Sequence, residues 1–416
     1  MFEMRITMIA ATLGLAWCHA AALPVIAIRN ATVHPASGPA VEKATVVVRN
    51  GLIEAVGPTV AAPADAWVIE APGLHVYPGL IDALSTWGMP ARSGEAGQST
   101  SSWVHAQDLV NPADRSIVSA RNAGFTTAVV FPASGIFGGQ GAVINLAGEK
   151  PGQMMVAGSV ASHLAIVLGG PNNFPASLMG VIAHIRQTYL DADAYRAATA
   201  WYQLNPRGAR RPEFDRTLAG LLESPRVLLP AVWAKEIDRM LSLSAELKRP
   251  AVLYGGHDAA RMTDKLAKAK TPVLISLKWP EREREADPEL DEAMRLLELR
   301  DQAPAAPAAL LKAGVKFAFY SGGVERPADL RAAVKKAIDA GLEREAAVRA
   351  LTLSAAEIFG VSDRMGSIEP GKIGNLTVTD GDLFQSGSKV KFVLIDGVKY
   401  EPMPEAPPPA RTEGAR

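Results

Sequence analysis

Six histidines lie beyond residue 19: His34, His75, His105, His163, His184 and His257. Imidazole is the side chain best suited to moving a proton or ligating a metal near neutral pH. Four of the six would have to converge to build a metal site, and their spacing gives no such pattern. His257 is the strongest functional candidate, because it follows the apolar run PAVLYGG; a place at a helix start beside Asp258 is the competing reading. His163 (ASHLAIVL) and His184 (GVIAHIRQTY) sit in apolar settings that suit satisfied core or helix-face roles. His34 and His75 lie in or beside a β-rich stretch and read as structural, and His105 falls in a loop. Aromatic residues gather at expected strand ends: Trp87, Trp233, Tyr254, Trp279 and Tyr320. With Thr86, Lys278 and Ser321 they are candidates to line a pocket. The competing reading is that the rings fill space, since each buries a large area. Asp82 reads as a structural acceptor of backbone hydrogen bonds.

Three motifs are excluded. The Gly-rich stretch Ala133–Gly148 lacks the Gly-Lys-Ser/Thr of a phosphate-binding loop and reads as a loop and hairpin. FYSGG has Phe319 where a nucleophile elbow needs its first glycine. SGSK at Ser386–Lys389 matches Ser-x-x-Lys in a turn outside any expected site.

The elements that must position these residues follow from periodicity. TVVVRNGLIEAVG (Thr45–Gly57) holds two β-branched runs joined by Asn50-Gly51, a type I′ hairpin signal. KVKFVLIDGVKY (Lys389–Tyr400) repeats the pattern around Asp396-Gly397. Between these ends, apolar strands TTAVVF, PAVLY, TPVLISL and VKFAFY alternate with helices, which argues for a parallel sheet. SAAEIFG (Ser354–Gly360) reads as a helix with Ser354 as N-cap, Glu357 completing a capping box and Gly360 as the stop. DLRAAVKKAIDAG ends at Gly341 in the same way. The charge run Pro280–Glu292 reads as a solvated loop and helix face.

The 416 residues are 48% hydrophobic and 21% charged, with 43 basic and 43 acidic side chains. That balance gives none of the basic footprint of a nucleic-acid binder. An apolar run, Ile6–Trp17, follows Arg5 and precedes small residues with cleavage expected after Ala20 or Ala22; it is short for a membrane span and reads as a signal peptide for a periplasmic or secreted chain, with a membrane-anchoring helix as the competing reading. Trp17 before Cys18 argues against lipidation. Cys18 is the only cysteine, so the exported chain has no disulfide, which fits a periplasm.

Five stretches carry a family resemblance: NGLIEAVG, APGLHVYPGLID, ARNAGFTTAVVF, LTLSAAEIFGV and GSIEPGKIGNLTVTDGD. In that order they resemble the amidohydrolase superfamily, specifically its imidazolonepropionase-like branch, across most of residues 25–402. The resemblance implies an α/β fold: a (β/α)8 TIM barrel with a small composite β-sandwich built from both chain ends. The implied division is a signal peptide at 1–22, sandwich at 23–72, barrel at 73–361, sandwich again at 362–402 and a disordered Pro-rich tail at 403–416.

Family members hydrolyse C–N bonds with one or two divalent metals such as zinc. The ligands come from a His-x-His ending strand 1, a carboxylated lysine on strand 4, one histidine each on strands 5 and 6, and an aspartate ending strand 8. Here Leu84 and Thr86 stand at the His-x-His positions. No lysine occurs between Lys150 and Lys235, Trp233 stands near the strand 5 histidine, Gly255-Gly256 replaces His-Gly, and Ser321-Gly322 replaces Thr-Asp. No metal cofactor is therefore expected. Three functions follow as expectations: a non-catalytic subunit partnering an active amidohydrolase relative or a second copy of itself; a C–N hydrolase with a rebuilt site; or a periplasmic small-molecule binder. No nucleic-acid partner is expected, and no membrane association once the signal is cleaved.

Overall fold

The computed structural model describes residues 24–90, 100–132, 135–169, 174–282 and 291–404. The expected signal peptide and nearly all of the expected tail lie outside the described residues, as does most of the charge run at 280–292. Five strands open the chain: β1 (Val25–Val33), β2 (Val41–Arg49), β3 (Leu52–Gly57), β4 (Ala66–Glu70) and β5 (His75–Pro78). Next come β6 (Leu80–Ser85), β7 (Phe125–Val130), β8 (Phe137–Gln140), β9 (Ala142–Asn145), β10 (Met155–Ala157) and β11 (Ser162–Leu164). Then follow β12 (Val227–Ala231), β13 (Ala251–Gly255), β14 (Val273–Ser276) and β15 (Phe317–Tyr320), and finally β16 (Leu376–Thr379), β17 (Val390–Ile395) and β18 (Val398–Tyr400).

Both chain ends build one eight-stranded sheet in the order β18-β17-β16-β5-β1-β2-β3, with β4 also on β1. Its two hairpins turn where expected, with positive φ at Asn50 and Gly51 and at Asp396 and Gly397. In its hydrogen bonding this composite unit is a single sheet, where the sequence suggests a sandwich. β5 belongs to it through β1 and β16, so the sheet extends past the boundary expected at residue 72.

The middle of the chain is an α/β layer in two sheets, β10-β9-β7-β6 and β15-β14-β13-β12-β11-β8. β11 through β15 run parallel, and the crossovers from β12 onward are helical, including Ala234–Leu247, Thr263–Ala269 and Ala306–Lys312. The sheets meet at two seams. At one, Gly141 joins β8 to β9 and bonds across to Ala161 and Val160. At the other, Asp82 of β6 accepts from Ser321, just past β15, at 2.8 Å. The stretch expected as a loop and hairpin forms β8 and β9, which do not pair with each other: β9 lies antiparallel to β7 in one sheet and β8 antiparallel to β11 in the other.

Alternation sets two faces, since strand side chains point to opposite sides in turn. Leu228, Val252, Leu274 and Ala318 join Ile81, Ala83 and Val129 in one inner cluster. Their neighbours Leu229, Leu253, Ile275 and Phe319 join the outer cluster under the helices. The expected capping box at Ser354 is not formed: the helix is Leu353–Phe359 with Thr352 before it, and Ser354 is buried within it. Glu357 pairs instead with Arg349 and Lys316. Gly360 does end this helix, with φ +75.

A buried polar network fastens the terminal sheet to the layer. Asn145 Nδ2 donates to Asp396 Oδ2 and Asn375 Nδ2 to Asn145 Oδ1, both at 2.8 Å, and the Asp396 N–H donates to Asn375 Oδ1 at 2.9 Å. Removing one member strands the others away from water, at about 1–3 kcal/mol per unsatisfied group. Asn145→Ala should lower stability within that range in urea unfolding; an unchanged midpoint would show that the network adds nothing.

Candidate functional site at the strand ends

The inner ends of β6, β13, β14 and β15 bring Leu84, Tyr254, Ser276 and Tyr320 towards one region. Tyr254 and Tyr320 form an edge contact at 6.5 Å, and Tyr254 lies 5.2 Å from the His163 ring, which is 5.6 Å from Phe131. The row of rings thus crosses from β7 through β11 and β13 to β15. The Tyr254 hydroxyl donates to the Leu164 carbonyl at 3.0 Å, which fixes its ring. Leu84 and Tyr254, both half-buried, pack on the same inner cluster as Phe131 and Tyr320.

Asp82 is the charged group of this region, and its setting is more than the structural role read from sequence. The side chain is fully buried. Oδ1 accepts the Ser321 N–H at 2.8 Å, while Oδ2 has no hydrogen-bond partner among the described residues. Burial pushes its carboxyl up to about 6; the nearby groups of Ser321, Ser85 and Leu84 oppose the shift without closing a bond to Oδ2. Tyr320 is pushed up to about 12, by burial first and by the negative charge of Asp82 to a lesser degree. Ser276 joins the group from β14, where its Oγ accepts from the Lys278 N–H at 3.2 Å. Ser85 and Ser276 escaped the sequence reading, because a serine in an apolar run carries no sign of which strands will face it.

His257 is buried against Trp279 at 5.7 Å, and Nε2 lies 3.0 Å from the Ser276 carbonyl oxygen. A carbonyl only accepts, so Nε2 carries the proton. Burial lowers the pKa of this ring and favours the neutral form. The contact is to backbone, so His257 is not placed as the base of any serine.

The other candidates disperse. Thr86 is exposed at a turn. Trp87 leaves the pocket set altogether: it packs edge-on against Phe125 at 5.1 Å in the outer core, because the chain turns outward after β6. Trp233 opens the helix Ala234–Leu247 and lines an outer groove of about 520 Å³ with Arg239, Arg261 and Arg295. Lys278 is exposed above Ser276.

Two glycines stand at expected ligand positions. Gly255 follows the inward Tyr254 and so points out of the layer, where an added Cβ would meet Val232 at 2.9 Å. Gly322, at φ +61, lies on the inner parity of Ala318 and Tyr320, and an added Cβ would lie 2.0 Å from Ser276 Oγ. That position excludes any side chain without movement of Ser276. Among the described residues no three His, Cys, Asp or Glu side chains converge to hold a metal. The inner positions offer an aliphatic chain, two phenols, a hydroxyl and a glycine beside the single carboxylate of Asp82, and this set lacks the three or four imidazole, thiolate or carboxylate ligands that zinc takes.

The proton on Asp82 has a thermodynamic consequence. The folded carboxyl titrates near 6 against an ordinary value of 3.8. As pH rises from 3.8 to 6 the unfolded chain releases this proton first, so stability falls across that window and levels off above it. Asp82→Asn removes the titration. Relative to wild type the variant should gain stability between pH 4 and pH 7, by on the order of 3 kcal/mol. A stability difference flat across that range, measured by denaturant unfolding, would refute the assignment.

Residues 243–399 match the model of the amidohydrolase family. The crystal structure of an amidohydrolase from Thermotoga maritima superposes with a TM-score of 0.78 at 28% identity, covering 90% of this chain and 100% of that one. A Xaa-Pro dipeptidase crystallised with bound methionine gives a TM-score of 0.57 at 16% identity, with 91% and 100% covered. Phenylurea hydrolase B gives 0.54 at 16%, with 90% and 96% covered. No curated protein matches the chain. Residues 243–399 are thus similar to the amidohydrolase family model, and the chain as a whole shares the fold of the Thermotoga maritima amidohydrolase.

Proposed function

We propose that this chain keeps the amidohydrolase fold, of the imidazolonepropionase-like kind, without the family's metal-dependent hydrolysis, and serves as a non-catalytic partner of an active relative. In this reading the two seams close the strand layer into the family's barrel. The observation that carries it is the inner lining of the strand ends: Leu84, Tyr254, Ser276, Tyr320 and Gly322. In active members a bound metal polarises the scissile carbonyl and lowers the pKa of its water. The residues present do not fit that ion. The apolar N-terminal run supports a periplasmic location.

A second reading rests on Asp82, whose proton titrates near neutral pH beside Ser85 and Ser321; it would be a C–N hydrolase with a rebuilt, metal-free site. Purified protein should contain far less than one equivalent of zinc or manganese by elemental analysis. It should leave Xaa-Pro dipeptides and phenylureas, the substrates named for the structural neighbours, uncleaved with or without added metal. One equivalent of tightly held metal and hydrolysis abolished by a chelator would overturn the non-catalytic reading. Chelator-resistant hydrolysis lost in Asp82→Asn would favour the second.

The glycine geometry offers an independent check. Restoring a carboxylate by Gly322→Asp should recover no metal binding and should destabilise the fold by about 1–3 kcal/mol, since it forces a side chain against Ser276 and a positive φ on a non-glycine residue. Tight zinc binding by this variant, measured by titration calorimetry, would show that the cage is intact apart from one ligand.

A further inference from the structure

Three side chains that no reading above uses meet where β11 and β12 begin. Ser159 precedes β11 and Glu223, the last residue of the helix Arg216–Glu223, precedes β12, so both lie at the strand ends opposite Tyr254 and Tyr320. His105 comes from the loop after β6 and bridges to Gln140, the last residue of β8. Ser159 Oγ lies 2.8 Å from Glu223 Oε1 and 3.4 Å from His105 Nδ1, and His105 Nε2 lies 3.3 Å from Glu223 Oε2. Buried Gln140 ties the three segments together. Its Nε2 donates to the carbonyls of Ser102 at 2.8 Å and Gly220 at 2.6 Å, and its Oε1 accepts from Ser224 Oγ. Gly220 lets the helix press on the chain at Ser102, where an added Cβ would lie 2.7 Å from the Ser102 carbonyl. An ionised carboxylate only accepts, so Nε2 carries the ring proton and Nδ1 presents a lone pair to Ser159. Ser159 has φ +47, a left-handed backbone uncommon for a residue with a Cβ. A sharp, strained turn of this kind lifts a serine clear of its neighbours in a nucleophile elbow. The Ser159 N–H has no acceptor among the described residues.

We infer that Ser159, His105 and Glu223 form a metal-free acyl-transfer centre that hydrolyses small esters. Ser159 is the nucleophile, His105 its base, and Glu223 the positioning residue that fixes the ring tautomer. At rest the hydroxyl donates to Glu223. A turn about its Cβ–Oγ bond aims the proton at Nδ1, and such contacts are commonly loose before substrate binds. Oγ then bonds to the ester carbonyl carbon as its proton passes to Nδ1, and the Ser159 N–H faces the oxyanion that forms. The bond to the alcohol oxygen breaks, and His105 gives the proton to that leaving oxygen. Water attacks the acyl-serine, loses a proton to Nδ1 and frees the carboxylic acid, and the proton returns to Oγ. The side chains of His105 and Glu223 are 23% and 42% exposed, so the centre is open and shallow and suits a short acyl chain. An alkoxide leaves more readily than an amide nitrogen, which favours esters where one backbone donor meets the oxyanion. This inference goes beyond the function proposed above. It concerns the other end of the strands and holds whether or not the region around Asp82 hydrolyses anything.

The full chain should react with a fluorophosphonate at Ser159, located by mass spectrometry of the labelled peptide. It should also hydrolyse 4-nitrophenyl acetate in the presence of a chelator. Ser159→Ala should abolish the labelling, and His105→Gln should slow both reactions by about 100-fold or more. Ser159→Cys, which keeps the shape of the side chain, should exchange fluorophosphonate labelling for rapid alkylation by iodoacetamide in a Cys18→Ser background. Glu223→Gln should lower kcat with KM unchanged, and Glu223→Asp should recover part of the loss, which a merely structural ion pair would not do. A wild-type chain left unlabelled at Ser159, or ester hydrolysis undiminished in Ser159→Ala, would overturn the inference. Ester hydrolysis kept in Ser159→Ala and lost in Asp82→Asn would place the chemistry at the other strand ends and equally overturn it.

Discussion

The contact between the first and last strands of the central layer governs the rest of the molecule. β6 and β15 are joined through one carboxylate oxygen, Asp82 Oδ1, and one backbone N–H, that of Ser321. A carboxyl group carried into a dry seam raises its own pKa, and here only one of its oxygens is satisfied. The same juxtaposition has a topological effect. The chain enters β6 directly from β5 and leaves the layer through the Leu353–Phe359 helix towards β16, so the Asp82–Ser321 contact brings the first and last strands of the layer together beside the sheet that both chain ends build. The Asn145–Asn375–Asp396 network is the local fastening of that return.

Once the strands are parallel and covered on both faces, the inner positions are dictated by a period of two, and only their chemistry remains to vary. A carbonyl, a carboxylate or an imidazole at these positions makes a ligand cage; a ring makes a packed interior. In this chain the inner positions at the ends of β13 and β15 are tyrosines, with Leu84 from β6 and Ser276 from β14 beside them. Rings bury large areas at low entropy cost and hold their neighbours at fixed distances. The hydroxyl of Tyr254 is tied to Leu164, so the row of rings is also hydrogen-bonded across the layer. The result is a strand-end region whose polarity is concentrated at Asp82 and the serines near it.

The long helix between β11 and β12, Leu178–Leu204, serves the core along only part of its length. Its first half supplies the outer core with Val181, Ile185, Tyr189 and Ala192. Its second half leaves Leu190, Trp201 and Leu204 exposed on the side away from its own chain. The two stripes occupy opposite faces, which conceals both from a reading that looks for one amphipathic face per helix.

Much of the architecture was legible from local signals. The turns at Asn50-Gly51 and Asp396-Gly397, the apolar runs of β7 and β13 to β15, and the stop at Gly360 depend on neighbours a few residues apart, and each stands where the sequence placed it. The reading that Leu84 and Gly322 stand at metal-ligand positions likewise rests on residue type and motif spacing. Other features were decided only by tertiary structure, because they depend on which face a residue turns to and which distant strand it meets. Thr86 and Trp87 follow β6 and turn away from the site, Trp233 opens an outer groove, and His257 bonds to backbone instead of a hydroxyl. Ser354 sits inside its helix because the chain enters at Thr352. Asp82 becomes a titrating group near neutral pH because the packed strands bury it, a shift that the Ser321 N–H, far along the chain, opposes without cancelling. Spacing along a sequence conveys period and turn; burial and charge are set by what the fold brings alongside.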